Sequence, residues 1–418
     1  MERRDRIDVL MPVQYALEET GGVQRWAIEA KPYIEAKTGG KVVLTFPKKK
    51  TDNESRLPPG GHFLGEVFRI PFGYSDTNYQ ASGRIKSEDV RRLLSLEAIK
   101  PHIVHVQEPI ALPGIGANGL INGLPRTEDG KIIPGLVAHV HSAKDHIEFW
   151  TRFGTRFIIA LGYHPRIMRK FDRTLAASQA TVDTWSRFWP VDYDIIPNGI
   201  NTDELTPDGP IIENWKKDGK KTIFFAGRHD RRKGIEDLLL AYCFLRKSGR
   251  DDVQLKIAGG GSTTERITEE LKKMVMDLNI PDVEFLGKLP RAEDDPDKID
   301  LIKAYRTADV FVGPSRDGEA FNRTDAEALS CGTMIVTTSI SGHKSAFGEA
   351  KGGVVFVKPN DPSDLAIGMQ TVLDLSEEDR KRLGREGRKH IVGNYAWPIV
   401  ADKLVKNVYQ EIIASKKR

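Results

Sequence analysis

The chain has 418 residues, of which 29% are charged and 39% are hydrophobic, with a net charge of +4 at pH 7. These values are typical of a soluble globular protein and exclude a disordered or collagenous chain. A chain of this length exceeds the size at which a single core keeps growing, so we expect two domains of about 200 residues each.

The cysteine and hydropathy patterns indicate the cellular setting. Cys243 and Cys331 have no CxxC spacing, so neither a disulfide framework nor a structural zinc site is indicated. The N-terminus lacks the long apolar stretch of a signal peptide, and no run of about 18 apolar residues follows. We therefore expect a cytoplasmic protein that touches a membrane, where it does so, only peripherally.

The excess of positive charge lies in the first half of the chain. Residues 1–200 carry 27 basic and 23 acidic side chains, whereas the remainder carries 36 of each. Residues 150–173 alternate basic and aromatic side chains, such as Arg152 and Phe153. Two interpretations stay open: this segment lies on anionic lipid at the inner face of the cell membrane, or it is a solvated helix with its aromatics in the core.

Short apolar runs alternate with longer amphipathic stretches, which is the rhythm of parallel strands joined by helices. The pattern predicts an α/β protein with two Rossmann-type domains facing across a cleft. In the first half, strands are predicted at Ile7–Met11, Lys41–Phe46, Ile103–Val106, Gly135–His139, Thr174–Ala177 and Tyr193–Ile196. In the second half, they are predicted at Thr222–Ala226, Gln254–Ala258, Val283–Leu286, Val310–Val312, Met334–Thr337 and Val354–Phe356.

The predicted domain junction lies in Ile196–Thr202, where a proline ends the last strand of the first half and Asn-Gly supplies a turn. We predict an N-terminal domain at residues 1–198 and a C-terminal domain at residues 199–393. Residues 394–418 have apolar side chains at helical spacing. We expect them to form a terminal helix that packs back toward the N-terminal domain.

Two cations follow the first predicted strand of the second half. Ligands of open α/β sheets bind outside the carboxyl ends of the strands, and Arg228 and Lys233 stand there around a tight turn. A planar guanidinium and a compact ammonium can together clamp a diphosphate. A solvated basic loop is an equally good interpretation of these two residues alone.

Glu319 and Glu327 lie eight positions apart across a turn that runs into a helix. The first carboxylate can meet sugar hydroxyls and the second can meet a ribose. The exposed N–H groups of the first helical turn can meet phosphate. Complementation of the helix dipole, which needs no ligand, is the alternative interpretation.

The fourth predicted strand of the first half ends in two histidines, His139 and His141, on the same strand face. We favour His141, which is nearer the loop, as the one that faces substrate. No third ligand stands nearby at a recognisable spacing, so a metal site is not indicated. Gly21-Gly22, after the first strand, lets the backbone approach a phosphate or sugar closely, or forms only a turn.

Two apparent motifs are set aside. Gly114–Gly119 fits G-x-G-x-x-G but is separated from the preceding strand, and the next strand ends in histidines rather than an acid. Asp192–Asp194 fits D-x-D but lies just before the predicted junction, away from the expected donor site, so we assign no metal.

In this order, these elements resemble the retaining glycosyltransferases of family 4, with the GT-B fold, along essentially the whole chain. The closer resemblance is to the phosphatidylinositol mannosyltransferases, through Glu108-Pro109 and the terminal Tyr395-Ala396-Trp397. The matching landmarks are Gly21-Gly22-Val23-Gln24, His141, Ile196-Pro197-Asn198-Gly199-Ile200, Gly227-Arg228, Arg232-Lys233-Gly234, Phe285-Leu286-Gly287, Ala308-Asp309-Val310, Glu319 and Glu327.

The resemblance implies roles for particular residues. It implies that Arg228 and Lys233 bind the donor diphosphate, that Glu319 binds the sugar hydroxyls, and that Glu327 binds the ribose. It further implies a phosphate cradle from the backbone of Phe321, Asn322 and Arg323, phosphate contact at Gly22, a reaction centre lined by His141, and an acceptor contact at Gln24.

The implied reaction moves a hexose, in its sharpest form mannose from GDP-mannose, to a hydroxyl of a phosphatidylinositol-type lipid. Configuration would be retained, with no protein nucleophile, no metal and no cofactor beyond the nucleotide sugar. The alternatives are transfer of glucose or N-acetylglucosamine from a UDP-sugar to a lipid or small molecule, and a nucleotide-sugar epimerase of the same fold. A non-catalytic module that binds membrane or nucleic acid is a third hypothesis, although the neutral second half argues against nucleic acid.

The sequence departs from the family pattern directly after Phe321. The family usually has glycine and then apolar residues there, whereas this chain continues with Asn322-Arg323-Thr324-Asp325. We therefore expect the close approach of phosphate and the inward packing of that helix to differ from the family. Arg323 would add a charge there.

Overall fold

The computed structural model describes residues 6–13, 22–48, 57–59, 61–69, 80–107, 120–141, 169–187, 189–216, 218–260, 265–292 and 298–417. These residues form two compact units. The first unit contains the described residues as far as Gly199 together with those from Trp397 onward, and the second contains Ile200–Ala396.

The described part of the first unit holds an eight-stranded sheet in the order β4-β3-β2-β1-β5-β6-β7-β8. All neighbouring strands are parallel except β3 and β4, which are antiparallel at one edge. Chain order reverses between β1 and β5, which makes their carboxyl ends a topological switch point. The strands are β1 (Val9–Pro12), β2 (Val42–Lys48), β3 (Gly61–Arg69), β4 (Gln80–Arg84), β5 (Ile103–Gln107), β6 (Gly135–Val140), β7 (Arg173–Ala176) and β8 (Tyr193–Ile195).

Helices α1 (Gly22–Thr38), α2 (Ser87–Leu96) and α3 (Gln179–Trp185) belong to the first unit. The apolar face of α1 repeats every three or four residues, as a helix that covers a sheet requires, and its members are fully buried: Trp26, Ala27, Ala30 and Ile34. They pack with β1 and β2 on one side of the sheet. Val90 and Leu93 of α2 belong to a separate apolar cluster.

The second unit is a parallel sheet in the order β11-β10-β9-β12-β13-β14 within the described residues. Its switch point lies between the neighbours β9 and β12. The strands are β9 (Lys221–Gly227), β10 (Val253–Gly259), β11 (Val283–Gly287), β12 (Val310–Gly313), β13 (Ile335–Thr338) and β14 (Val354–Val357). Of these, β9, β12 and β13 are buried on both faces, and such strands read as short continuous apolar runs in a sequence.

Several helices of the second unit begin at a side-chain cap. Asp300 and Ser376 accept hydrogen bonds from backbone N–H groups three residues on, and Asp361 does so immediately before Pro362. The helices are α4 (Ile235–Lys247), α5 (Glu265–Asp277), α6 (Leu301–Thr307), α7 (Arg323–Ser330), α8 (Ser341–Phe347), α9 (Pro362–Leu373) and α10 (Glu377–Tyr395).

The terminal helix crosses back to the first unit. It comprises α11 (Trp397–Leu404), a π turn (Val405–Gln410) and α12 (Glu411–Lys417). Its buried side chains join the cluster that contains Trp26 and β1. A Cβ at Gly199 would collide with the ring of Trp397, so the Asn-Gly turn is also the place where the helix begins its return.

All twelve predicted strands are present, and the predicted class of two α/β domains with a returning terminal helix is confirmed. The sequence missed β3 and β4, the antiparallel edge pair. Gly61, Gly65 and Gly83 interrupt these segments and remove the apolar run on which recognition of the other strands depended. None of the helices in the described part of the chain has both the length and the apolar character needed to cross a bilayer.

Candidate active site

The switch point of the second unit brings together two of the predicted donor residues. Lys233 follows β9 and Glu319 follows β12, and Lys233 Nζ lies 2.6 Å from Glu319 Oε1. Both side chains are largely buried, with 14% and 18% of their surfaces exposed. Residues far apart in the chain therefore form one ion pair at the strand ends.

A glycine fixes the turn that carries Lys233. Residues Arg231–Lys233 form a 3₁₀ turn that ends at Gly234, whose φ is +65°. A Cβ at Gly234 would collide with the carbonyl oxygen of Pro314, in the loop after β12. Only glycine combines this positive φ with this close approach, so the lysine turn and the glutamate loop are held against each other.

Arg316 joins the same two segments and was not recognised from the sequence. Its Nε and Nη2 atoms each donate to the carboxylate of Asp237 at 2.7 Å, a bidentate pair with the first turn of α4. Its backbone N–H donates to the carbonyl oxygen of Arg232 at 2.7 Å. Because both partners lie about 80 positions earlier in the sequence, no local pattern could reveal them.

Glu319 is held in its charged form. Burial by itself would raise the pKa of this carboxyl, but the Lys233 ammonium, helped by Arg232 and His343, outweighs burial and lowers the pKa to about 2. A permanently ionised carboxylate at this position can accept hydrogen bonds from sugar hydroxyls.

Arg228 is the more exposed of the two predicted cations, with 51% of its side chain accessible. Its Nη2 lies 3.8 Å from Asp230 Oδ2, and Asp230 also accepts from the N–H of Arg232. Burial raises the pKa of Asp230. Asp230 lies between the two cations in the chain and was not recognised as a candidate from the sequence.

The turn before α7 keeps a backbone conformation suited to glycine. Asn322 has φ +49° and ψ +86°, a left-handed geometry that asparagine tolerates better than other side chains. Phe321 before it is buried against the ring of Tyr395, with ring centroids 4.9 Å apart. Asparagine thus occupies the family's usual glycine position with a glycine-like φ.

Glu327 is buried and already has donors. Tyr305 Oη donates to its Oε2 at 3.1 Å, and Arg291 Nη1 donates to its Oε1 at 3.3 Å. Arg323, one helical turn earlier, places Nη2 3.7 Å from the same Oε1. Only 2% of the Glu327 side chain is exposed, so a ribose that bound here would share or displace these arginines.

The first unit places His141 beside a glutamine at its strand ends. His141 is buried, and its Nε2 lies 2.7 Å from Gln107 Oε1, at the end of β5. An amide oxygen only accepts, so Nε2 carries the proton in this arrangement. Gln24 is buried in the first turn of α1, which begins at Gly22 after β1.

His139 differs from His141 in its surroundings. It is fully buried, its Nε2 donates to the carbonyl oxygen of Ile196 at 3.1 Å, and Trp26 meets its ring edge-on at 4.9 Å. Burial, then the neighbouring His141 and His105, lower its pKa well below the usual value. His139 is therefore a neutral, structural ring.

A third histidine beside these two was not recognised from the sequence. His105, inside β5, has Nδ1 2.7 Å from the hydroxyl of Tyr409 in the terminal helix. Burial lowers the pKa of His105 to about 3. We name His105, His139, His141 and Trp26 the histidine cluster.

Some predicted features lie outside the described residues: Gly21, Glu108-Pro109, Gly114–Gly119 and residues 150–168 of the basic segment. Asp194, of the D-x-D set aside above, pairs with Arg173 at 3.0 Å. Across the described ranges, no group of three or more histidine, cysteine, aspartate or glutamate side chains is arranged to hold a metal ion.

Comparisons with known proteins identify the family of the chain. The family model described as Glycosyltransferase Family 4 matches residues 20–204, and that described as Glycosyl transferases group 1 matches residues 211–390. Together these stretches take in most of both units. The chain is a glycosyltransferase with the GT-B fold, and it belongs to family 4.

Its relatives refine this class. The chain is 27% identical to phosphatidyl-myo-inositol mannosyltransferase of Mycobacterium leprae, over 98% of both chains. It is 30% identical to the protein of the same name from Mycolicibacterium smegmatis, over 52% of this chain and 51% of the relative. The solved structure of Anabaena HepE in complex with UDP and glucose shares the fold, with a TM-score of 0.70, 15% identity and coverage of 97% of this chain and 100% of that one.

Proposed function

We propose that the protein transfers mannose from GDP-mannose to a hydroxyl of a phosphatidylinositol-type lipid, with retention of anomeric configuration. The observation that carries the proposal is the buried Lys233–Glu319 pair at the switch point, where an open α/β sheet binds its ligand. The mannose and the inositol lipid are suggested by the names of the two mycobacterial relatives, and the guanine base by the family resemblance of the sequence.

The donor-binding residues would act by stabilising the negative charge that develops during the reaction. As the bond between the sugar's anomeric carbon and the diphosphate oxygen breaks, negative charge grows on the departing diphosphate. Lys233 and Arg228 would stabilise that charge. Glu319 would hold the sugar by its hydroxyls, and Glu327 would hold the ribose.

Retention would follow without a protein nucleophile. The acceptor hydroxyl would attack the anomeric carbon from the face that the diphosphate leaves and give its proton to that diphosphate. One carbon–oxygen bond breaks and another forms, and the products are the mannoside and GDP. Protein cations stabilise the leaving group, so we propose that the transfer needs no metal ion.

The first unit would supply the acceptor side. We propose that His141 lines the reaction centre, that Gln24 contacts the acceptor, and that Gly22 contacts phosphate through its backbone. We also propose peripheral contact with the cytoplasmic face of the membrane through residues 150–173. Flotation with vesicles that contain phosphatidylinositol, compared with neutral vesicles, tests that contact.

The transfer itself is tested by incubating the protein with GDP-mannose and phosphatidylinositol vesicles in EDTA, and measuring GDP and mannolipid. We expect both products in equal amounts, and an α-mannoside from an α-donor. If no nucleoside diphosphate is released with any donor of a GDP-, UDP- and ADP-sugar panel, the glycosyl transfer proposal fails.

A UDP-sugar donor is the second candidate, because the Anabaena neighbour of the same fold was solved with UDP and glucose. Thermal stabilisation by GDP and UDP, measured side by side, distinguishes the two donors, since a ligand that binds only the folded state raises the melting midpoint. Turnover of donor without any acceptor would instead identify a nucleotide-sugar epimerase.

A further inference from the structure

Two of the residues that depart from the family pattern after Phe321, Asn322 and Asp325, are linked to each other through the side chains of His343 and Thr337. Asn322 Nδ2 lies 3.3 Å from His343 Nε2, and His343 Nδ1 lies 2.7 Å from Thr337 Oγ1. Thr337 Oγ1 lies 2.6 Å from Asp325 Oδ2. Asn322 and Asp325 stand in the same turn at the start of α7, so the circuit begins and ends on that turn. We name these four residues the polar circuit.

The direction of each hydrogen bond can be assigned. His343 Nδ1 lies 2.9 Å from the carbonyl oxygen of Thr338, which only accepts, so Nδ1 carries the proton of a neutral ring. Nε2 is then an acceptor for the Asn322 amide. The Thr337 hydroxyl accepts from Nδ1 and donates to Asp325. Burial lowers the pKa of His343 to about 4, so the ring stays neutral at physiological pH.

The polar circuit is buried and closely packed. Thr337, His343 and Asp325 have no exposed surface, and Asn322 has 6%. A Cβ at Gly313, the last residue of β12, would collide with the Asp325 carboxylate. A buried hydrogen-bonded network whose members each have a partner tends to fix one conformation of the backbone that carries it.

We propose that Asp325 and His343 are positioning residues for the donor diphosphate. Through the polar circuit they hold Asn322 at its positive φ, so that the N–H groups at the start of α7 are presented to phosphate. A glycine could adopt this φ freely, whereas asparagine adopts it at a conformational cost that the circuit offsets. This inference rests on the proposed function, because it assigns the diphosphate to this turn.

The experiment measures GDP and UDP affinity by calorimetry for the whole protein and its variants. His343→Leu opens the circuit, and we expect about tenfold weaker binding of the preferred diphosphate, the value of roughly one buried hydrogen bond. His343→Gln, which can still accept from Asn322 and donate to Thr338, should recover most of that loss. Asn360→Gly is the matched control, because Asn360 also has a positive φ, of +58°, but is exposed and distant in the chain.

The decisive comparison is made in the Asn322→Gly background. If His343 acts through the backbone of residue 322, His343→Leu should weaken binding much less there than in the parent, and the two substitutions should be strongly non-additive. Additive effects, or unchanged affinity in both His343 variants, would overturn the inference. Melting midpoints show that each variant is folded at the temperature of the titration. If His343→Leu does not fold, Thr337→Val, which removes the hydroxyl between His343 and Asp325, takes its place in the same comparison.

The proposed function and the inference about the polar circuit are overturned by different results. Parent protein that binds neither GDP nor UDP overturns the proposed function and this inference with it. Parent protein that binds a diphosphate with an affinity indifferent to the polar circuit overturns the inference alone.

Discussion

The strand ends of the two units differ in the kind of polarity that they bury. In the second unit they hold charges: an ammonium against a carboxylate at 2.6 Å, with arginines nearby. In the first unit they hold neutral rings and amides, and burial keeps His105 and His139 uncharged. Fixed charge suits a site for a diphosphate, and a neutral cluster suits one for hydroxyls. The same sheet architecture therefore carries two chemistries through its loops.

The largest effect that would test this division is the loss of Lys233. Lys233→Ala removes the buried cation that would stabilise the leaving diphosphate and leaves Glu319 without its ammonium partner. We expect the rate of GDP release to fall by about 10²–10³, the loss seen when one preorganised charge-stabilising group is removed from an active site.

Lys381→Ala is the matched control for that variant. Lys381 is 66% exposed and pairs with Glu377 one helical turn earlier, so we expect full activity. If Lys233→Ala released GDP as fast as Lys381→Ala, the buried charge at the strand ends of the second unit would not serve the transfer, and the proposed difference between the two units would fail.

A second prediction concerns Asp325, a buried acid whose pKa is raised to about 7 because burial disfavours its charged form. The groups around it are Lys233, Glu319, Thr337 and His343. A carboxyl with a raised folded pKa contributes stability at low pH and loses it as pH rises through that pKa.

Asp325→Asn keeps an acceptor for Thr337 but cannot ionise. Relative to the parent, its free energy of unfolding should therefore increase between pH 4 and pH 7, by up to about 4 kcal/mol for three pKa units. Urea unfolding of both proteins at pH 5 and pH 8 measures the difference. If the free energies of unfolding of the two proteins differ by the same amount at both pH values, the pKa of the buried Asp325 carboxyl is not raised.

Glu319 gives a prediction of the opposite sign. Although burial opposes ionisation, Lys233 lowers its pKa to about 2 from an ordinary value of 4.5. A carboxyl whose pKa is lower in the folded state than in the unfolded state stabilises the fold at pH values above its unfolded pKa. This stabilisation is lost as pH falls from 4.5 toward 2, by about 3 kcal/mol.

The measurement compares the parent with Glu319→Gln. The parent should be the more stable protein at pH 6, and its advantage should disappear toward pH 2. An advantage that persisted at pH 2 would show that the pair stabilises through packing rather than charge.

The contacts of Lys233, Glu319 and Asp325 also show which parts of the site could not be predicted from the sequence. The runs of β9 and β12 were visible because both faces of each strand are buried, and that placed Lys233 and Glu319 at strand ends. Their pairing was not predicted, since two residues can follow neighbouring strands and still point apart. In the sequence alone, Asp325 stands out only as a departure from an apolar pattern. Its partner Thr337 lies on the next strand, and no local spacing relates the two residues.

The first unit shows the same limit. His139 and His141 stood out as an i, i+2 pair on one strand, and the preference for His141 came from its place nearer the loop. His105 is a single histidine within an apolar run, and its partner Tyr409 lies in the terminal helix. Only the return of that helix, which was predicted without its contacts, brings the two together.

The smallest expected effect tests whether the contact between His105 and Tyr409 stabilises the histidine cluster. Tyr409→Phe keeps the buried ring but removes the hydroxyl that meets His105 Nδ1 at 2.7 Å. We expect the free energy of unfolding to fall by about 1–2 kcal/mol, the cost of leaving one buried partner unsatisfied. Because His105 is neutral, the loss should be equal at pH 6 and pH 8. A loss that grew on acidification would instead indicate a charged His105, and the contrast between a charged and a neutral set of strand ends would then fail.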